Sequence, residues 1–261
     1  MNPVLLVIAG PNGAGKTTVT VKPSARAMER RRRVLEPDDV ARDRFGDWNS
    51  PQASLDAARW TTGRREELLS QRAGIAFETV FSTEDKLDFV ARAKVVNYFV
   101  RLFFVGTGDP CINAARVAGR VMQGGHTVPI EKIVSRYGKS LANLSPAIQL
   151  ADRVYIYDNS VDDVDARLCA RTVDGRLRKI YGPLPGWISD VVDPLPRHAD
   201  LVDLRLGSAG GSTGGRRSTA RSPTSLDAAG RSRTSRSGAE EHTTSVRRSG
   251  PSSRSGPRRA R

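Results

Sequence analysis

Apolar residues fall along this chain in two rhythms. Four compact runs, Val4 to Ala9, Ile75 to Phe81, Tyr98 to Val105 and Val154 to Tyr157, are apolar at almost every position, the pattern of strands buried on both faces. Between them apolar side chains recur every three or four residues, the spacing of one helix face. Residues 54 to 72 carry Leu55, Ala58, Leu68 and Leu69 in this way and stop at Gly74. Ser82, with Asp85 three residues on, reads as the N-cap of a helix through Leu87, Val90, Ala91 and Val95. A further helix is expected from 110 to 121. Val34-Leu35-Glu36 reads as a weaker second strand, with Pro37-Asp38-Asp39 opening another helix behind it. A first short helix begins at Gly15 and ends at Pro23, since proline has no N–H to donate and crowds the preceding turn.

Strands separated by helices in repetition predict a parallel sheet with helices on both faces, and ligands of such sheets sit outside the carboxyl ends of the strands. The fold class expected is α/β, a P-loop NTPase-type parallel sheet, plus a small C-terminal hairpin and a disordered tail. The hairpin is placed at Arg167 to Tyr181, where Asp174-Gly175 supplies the turn.

Composition divides the chain. Residues 1–206 have the apolar content for one core and are expected to form a single domain. Residues 207–261 are Ser, Arg, Gly and Thr with almost no large apolar side chain beyond Leu226 and Val246, too little to offset the entropy of ordering, so a disordered tail is expected. The net charge of +14 divides in the same place: twelve tail arginines against Asp227, Glu240 and Glu241 leave only +5 on residues 1–206. The basic tail suits weak, salt-dependent contact with nucleic acid at most. Cys111 and Cys169 stand alone, which signals neither a disulfide framework nor a zinc site and leaves two reduced core thiols. No apolar stretch approaches the length of a membrane span, and a cytoplasmic protein without membrane contact is expected.

The chemistry is concentrated behind the first strand. Gly10-Pro11-Asn12-Gly13-Ala14-Gly15-Lys16-Thr17-Thr18 is a complete G-x-x-x-x-G-K-T phosphate loop between a strand and a helix. In that context backbone N–H groups and a helix N-terminus surround an anion. Lys16 then reaches the β- and γ-phosphates of ATP or GTP, and the Thr17 hydroxyl is placed to ligate Mg²⁺. Phosphoryl transfer asks mainly for positioning and charge stabilisation. Asp38, at the carboxyl end of the second strand, is a candidate proton acceptor, although an Asp at a helix start is ordinarily a cap and Asp39 competes for the role. Arg116 and Arg120 lie four residues apart on one helix face and are candidate clamps for the transferring phosphate. Glu78 is a carboxylate in an apolar strand, costly unless it is paired or at the mouth. His126 follows the arginine helix in a glycine-rich loop.

Several segments together resemble the short zeta-toxin-like P-loop kinases: the phosphate loop, Phe77-Glu78-Thr79, the block Arg116-Val117-Ala118-Gly119-Arg120-Val121-Met122-Gln123-Gly124-Gly125-His126-Thr127-Val128-Pro129, Arg136-Tyr137, Ser140 to Leu144, and Asp158-Asn159-Ser160. The likeness spans nearly all of residues 1 to 190. It implies an ATP- or GTP-dependent kinase whose best-known relatives phosphorylate a hydroxyl of UDP-N-acetylglucosamine. It also implies Asp38 as base, Arg120 and Arg116 at the transferring phosphate, and Glu78, Thr79 and His126 at the acceptor. An antitoxin protein is the partner it suggests. This chain has Glu36-Pro37-Asp38 where the family usually has Asn-Ala-Asp. A kinase for another acceptor, such as an antibiotic or nucleotide, is the alternative, as is a nucleotide-switched protein that contacts nucleic acid through its tail.

Overall fold

The computed structural model describes residues 2–20, 34–35, 40–41, 44–45, 50–125 and 128–205. The expected tail, Pro23, Asp38 and His126 lie outside the described residues; of the helix expected after Pro37 only residues 40–41 and 44–45 are described, and they are helical. Eight strands among the described residues form one sheet: β1 Val4–Ala9, β2 Val34–Leu35, β3 Ile75–Thr79, β4 Phe99–Gly106, β5 Arg153–Asp158, β6 Arg167–Val173, β7 Arg176–Ile180 and β8 Arg197–Asp203, in the order β2-β3-β1-β4-β5-β6-β7-β8. The pairings from β2 to β5 are all parallel. That register sets Ile8 of β1 beside Glu78 on one side and Phe103 on the other.

The helices are α1 Lys16–Thr20, α2 Pro51–Ser70, α3 Glu84–Val95, α4 Pro110–Met122, α5 Ile130–Leu150 and α6 Gly186–Val192. Two starts follow from local chemistry. The Ser50 hydroxyl accepts from Ala53 N ahead of Pro51, and the Asp109 carboxylate accepts from Cys111 N ahead of Pro110, so each cap meets a free donor while proline occupies a position where none is needed. The start of α3 corrects the sequence expectation. Its N-cap is Thr83 rather than Ser82, and the Thr83 side chain makes no capping hydrogen bond; Glu84 and Asp85 in the first turn supply negative charge to the helix N-terminus.

Alternation along the strands divides the core. Leu5, Val7, Phe77, Leu102, Phe104, Val154 and Ile156 face one way and pack with Leu68 of α2, Phe89 and Val90 of α3, Leu144 and Ile148 of α5, and Ile188 and Val192 of α6. Leu6, Ala76, Phe103 and Val105 face the other way, against Ala14 and Val19 of the loop and α1. Helices therefore lie on both faces, though unevenly among the described residues.

The expected C-terminal hairpin is present, with its turn at Asp174 (φ 47°) and Gly175 (φ 73°). It is not a separate unit, because β6 pairs antiparallel with β5 and continues the main sheet. Strand β8, not anticipated, then joins β7 in parallel. Cys169 is buried as expected, whereas Cys111 is exposed in the first turn of α4, where its side chain faces away from the core. No helix among the described residues is long and apolar enough to cross a membrane.

Candidate nucleotide-binding site

The loop after β1 is shaped by two neighbours. Gly10 has φ 146°, and a Cβ there would press into the carbonyl of Val105 in β4, so neither the conformation nor the space admits a side chain. Gly13, at φ 75°, backs onto the Asn113 backbone in the same way. The turn closes with Ala14 N donating to Pro11 O at 3.2 Å, and α1 opens with Thr18 N donating to Gly15 O at 3.1 Å.

Two asparagines hold the loop from outside. Asn113 Nδ2 of α4 donates to Asn12 O at 2.6 Å, and Asn159 Nδ2, just past β5, donates to Ala14 O at 2.8 Å. In a planar trans peptide the N–H points opposite to its C=O. Anchoring these two carbonyls therefore turns the N–H groups of Gly13 and Gly15 to the other side, the arrangement that receives an anion. The braces are themselves secured. Thr107 Oγ1 donates to Asn113 Oδ1, Tyr137 OH of α5 donates to Thr107 O at 2.7 Å, and Asn159 N donates to Gly106 O at 2.8 Å.

Lys16 is only 8% exposed. Its Nζ donates to Pro11 O at 3.2 Å and lies 3.6 Å from Glu78 Oε1, partners that make burial of the charge tolerable. Glu78 thus sits at the mouth of the parallel strands, beside the phosphate loop. The backbone beyond it is pinned. Phe81, a buried non-glycine residue at φ 61°, donates its N–H to Thr79 Oγ1 at 3.1 Å and accepts from Asn143 Nδ2 at 3.0 Å. Thr17 and Thr18 are exposed. The Thr17 hydroxyl makes no hydrogen bond to a described residue, so it fits one oxygen position around Mg²⁺, an ion that keeps water and phosphate oxygens as its other ligands.

On the opposite side of the loop, across β4 and β5, lies a groove of about 360 Å³ lined by Gly15, Thr18, Arg116, Asn159 and the segment Val161 to Asp165. Arg116 is committed there: Nε and NH2 donate to Asp162 Oδ1 at 2.7 and 2.6 Å, and NH1 donates to Asn159 O at 2.8 Å. Arg120, one turn on, is exposed. The structure therefore brings together the loop, Lys16, Thr17, Glu78, Thr79 and Arg116. Asn113 and the acidic loop at 162–165 went unread as site residues, because their roles come from tertiary contacts with no local motif. Tyr137, Asn143 and Asn159 lay inside recognised blocks without being assigned a task.

A parallel sheet whose first strand feeds a loop of this geometry, followed by a buried lysine and a threonine hydroxyl with no partner among the described residues, defines a P-loop protein of the kinase type. The zeta toxin profile matches residues 1–166, and the chain belongs to the zeta toxin family. A protein of Haemophilus influenzae, described only as uncharacterized, is 27% identical over 128 residues, which is 49% of this chain and 88% of that protein. Among solved structures, the native AvrRxo1-ORF1:-ORF2 complex superposes with a TM-score of 0.55 at 18% identity, over 69% of this chain and 61% of that one. The same complex solved with ATP gives 0.54 at 17%, with the same coverage. This chain thus spans about three-fifths of those structures, and the likeness is one of fold.

Proposed function

We propose that this protein is a kinase that transfers the γ-phosphate of ATP or GTP to a hydroxyl of a small molecule, and that the acceptor is a UDP-amino sugar such as UDP-N-acetylglucosamine. The observation that carries this reading is the placement of Glu78 Oε1 3.6 Å from Lys16 Nζ. A lysine at this loop position serves the terminal phosphates, so a carboxylate beside it stands where an acceptor hydroxyl must approach. Glu78 positions that acceptor by accepting its hydrogen bonds, and Thr79 and His126 contribute to holding it. Asp38 takes the proton from the attacking hydroxyl. Arg120, which has no hydrogen bond or ion pair with a described residue, is available to follow the charge that develops on the transferring group, and Arg116 holds the donor side of the site. Mg²⁺ bound through Thr17 supplies further charge neutralisation when the nucleotide is present. Membership of the zeta toxin family favours an antitoxin partner, and the fold neighbour solved as a two-component complex agrees with one.

The test incubates purified protein with Mg-ATP or Mg-GTP and a panel of UDP-sugars, followed by mass spectrometry. A UDP-sugar heavier by one phosphate is expected with the native chain and absent with Lys16→Ala and Asp38→Ala, the latter still binding nucleotide. Unchanged turnover in Lys16→Ala would refute the kinase assignment. Transfer to some other hydroxyl compound, with the sugars untouched, would move the acceptor and keep the reaction.

A further inference from the structure

Resting on the reading of residues 10 to 18 as a nucleotide loop, we infer that the groove beside Gly15 takes the nucleobase of the phosphate donor and that Asp163 selects guanine over adenine. Direction comes from the sheet. Lys16 Nζ points towards Glu78 on β3, which places the terminal phosphates on that side of β1. The groove lies on the other side, past β4 and β5, where the nucleoside end of the same ligand must emerge. Its volume of about 360 Å³ falls in the range of small-molecule sites. Two exposed apolar side chains, Val161 at 62% and Val164 at 61%, line it and suit the faces of a purine ring.

The polar lining decides which purine. The Arg116 nitrogens are already committed, Nε and NH2 to Asp162 Oδ1 and NH1 to Asn159 O. Asn159 Nδ2 is committed to Ala14 O. What remains is acceptor in character: Asp162 Oδ2, outside the Arg116 pair, and the exposed carboxylate of Asp163, which pairs with no described residue and stands at φ 57°; Asp165, also in the lining, is already engaged in an interaction of its own. An ionised carboxylate can only accept. Guanine offers it two adjacent donors, N1–H and the exocyclic amino group. Adenine offers one donor and, beside it, the N1 lone pair, which a carboxylate repels. Asp162 is pinned to Arg116 and Asp165 is engaged, so the selecting group is Asp163.

The experiment is calorimetric titration of the full chain with the magnesium complexes of GDP, ADP and xanthosine diphosphate. Native protein is expected to bind GDP at least about tenfold more tightly than ADP, the ratio of one charge-assisted hydrogen-bond pair. Asp163→Asn keeps the left-handed backbone accessible, because Asn adopts it as readily as Asp, yet it presents an amide donor where guanine needs an acceptor. This variant should lose most of the GDP preference and gain affinity for xanthosine diphosphate, whose C2 carbonyl accepts from the amide. A simple folding defect would lower all three affinities and rescue none. Equal binding of GDP and ADP, or a variant that keeps its GDP preference, overturns the assignment of Asp163 and leaves the phosphate loop intact. Binding of neither diphosphate overturns the inference together with the nucleotide reading beneath it.

Discussion

At the scale of single residues, the phosphate loop depends on contacts that a motif cannot display. Gly10→Ala would place a methyl group in the Val105 carbonyl at a φ that alanine avoids. Nucleotide binding, followed by titration, is expected to fall below detection, with a drop in melting temperature alongside it. Asn159→Ala removes the amide that fixes Ala14 O. Losing one buried hydrogen bond costs about 1 to 3 kcal/mol, and the expected result is a nucleotide affinity lower by tenfold or more in a chain that still folds. Wild-type affinity in that variant would show that the loop holds its own shape. The motif from Gly10 to Thr18 was legible because its spacing alone encodes the turn and the lysine. The asparagine braces were not, since each reaches the loop from a segment distant in sequence.

At the scale of elements, hydrophobic rhythm located β1, β3, β4 and β5 to within two residues at each end, because strands buried on both faces are apolar at nearly every position. The register of β8 had no such signal: its burial is intermediate at best, as an edge strand allows. Helix α5 carries buried Ile133, Ser140, Leu144, Ala147 and Ile148 on one face, a helical spacing that went unread, since only Arg136-Tyr137 and Ser140 to Leu144 were singled out in this stretch, and for their motif alone. Two contacts between elements yield predictions. Asp152 accepts from Val100 N at 2.7 Å and from Lys94 Nζ at 2.6 Å, tying the start of β5 to β4 and to α3. Asp152→Ala should destabilise the fold by about 2 kcal/mol in urea unfolding, and a change near zero would mean that the two donors find other partners. Glu66 of α2 receives both terminal nitrogens of Arg92 of α3, at 2.7 and 2.6 Å, and this hydrogen bonding, ahead of the charge itself, holds its carboxyl below the usual range. A depressed folded value means that the contribution is present above the unfolded value of about 4.3 and fades as pH falls through the folded one. Between pH 5 and 2, native stability should therefore fall more steeply than that of Glu66→Gln. Parallel curves would show that the pair is silent.

At the scale of the whole molecule, we propose that residues 1–206 fold alone. Deleting 207–261 is expected to shift the melting temperature by no more than about 2 °C, less than 1 kcal/mol for a domain of this size; a larger fall would make the tail part of the structure. The asparagine braces carry a consequence for biosynthesis. Asn113 lies 101 residues from the carbonyl it holds, and Asn159 lies 145 from its own. A ribosome must extend the chain past Asn159 before both braces can hold the first eighteen residues in shape, so the segment translated first matures last. An emerging chain is therefore expected to bind no nucleotide until the sheet as far as β5 has assembled. For the kinase proposed above, this order of events would delay nucleotide binding through synthesis, the interval in which an inhibitor would have least of it to bind. Nascent chains stalled near residue 150 should accordingly retain no labelled nucleotide, whereas chains released after residue 206 should retain it.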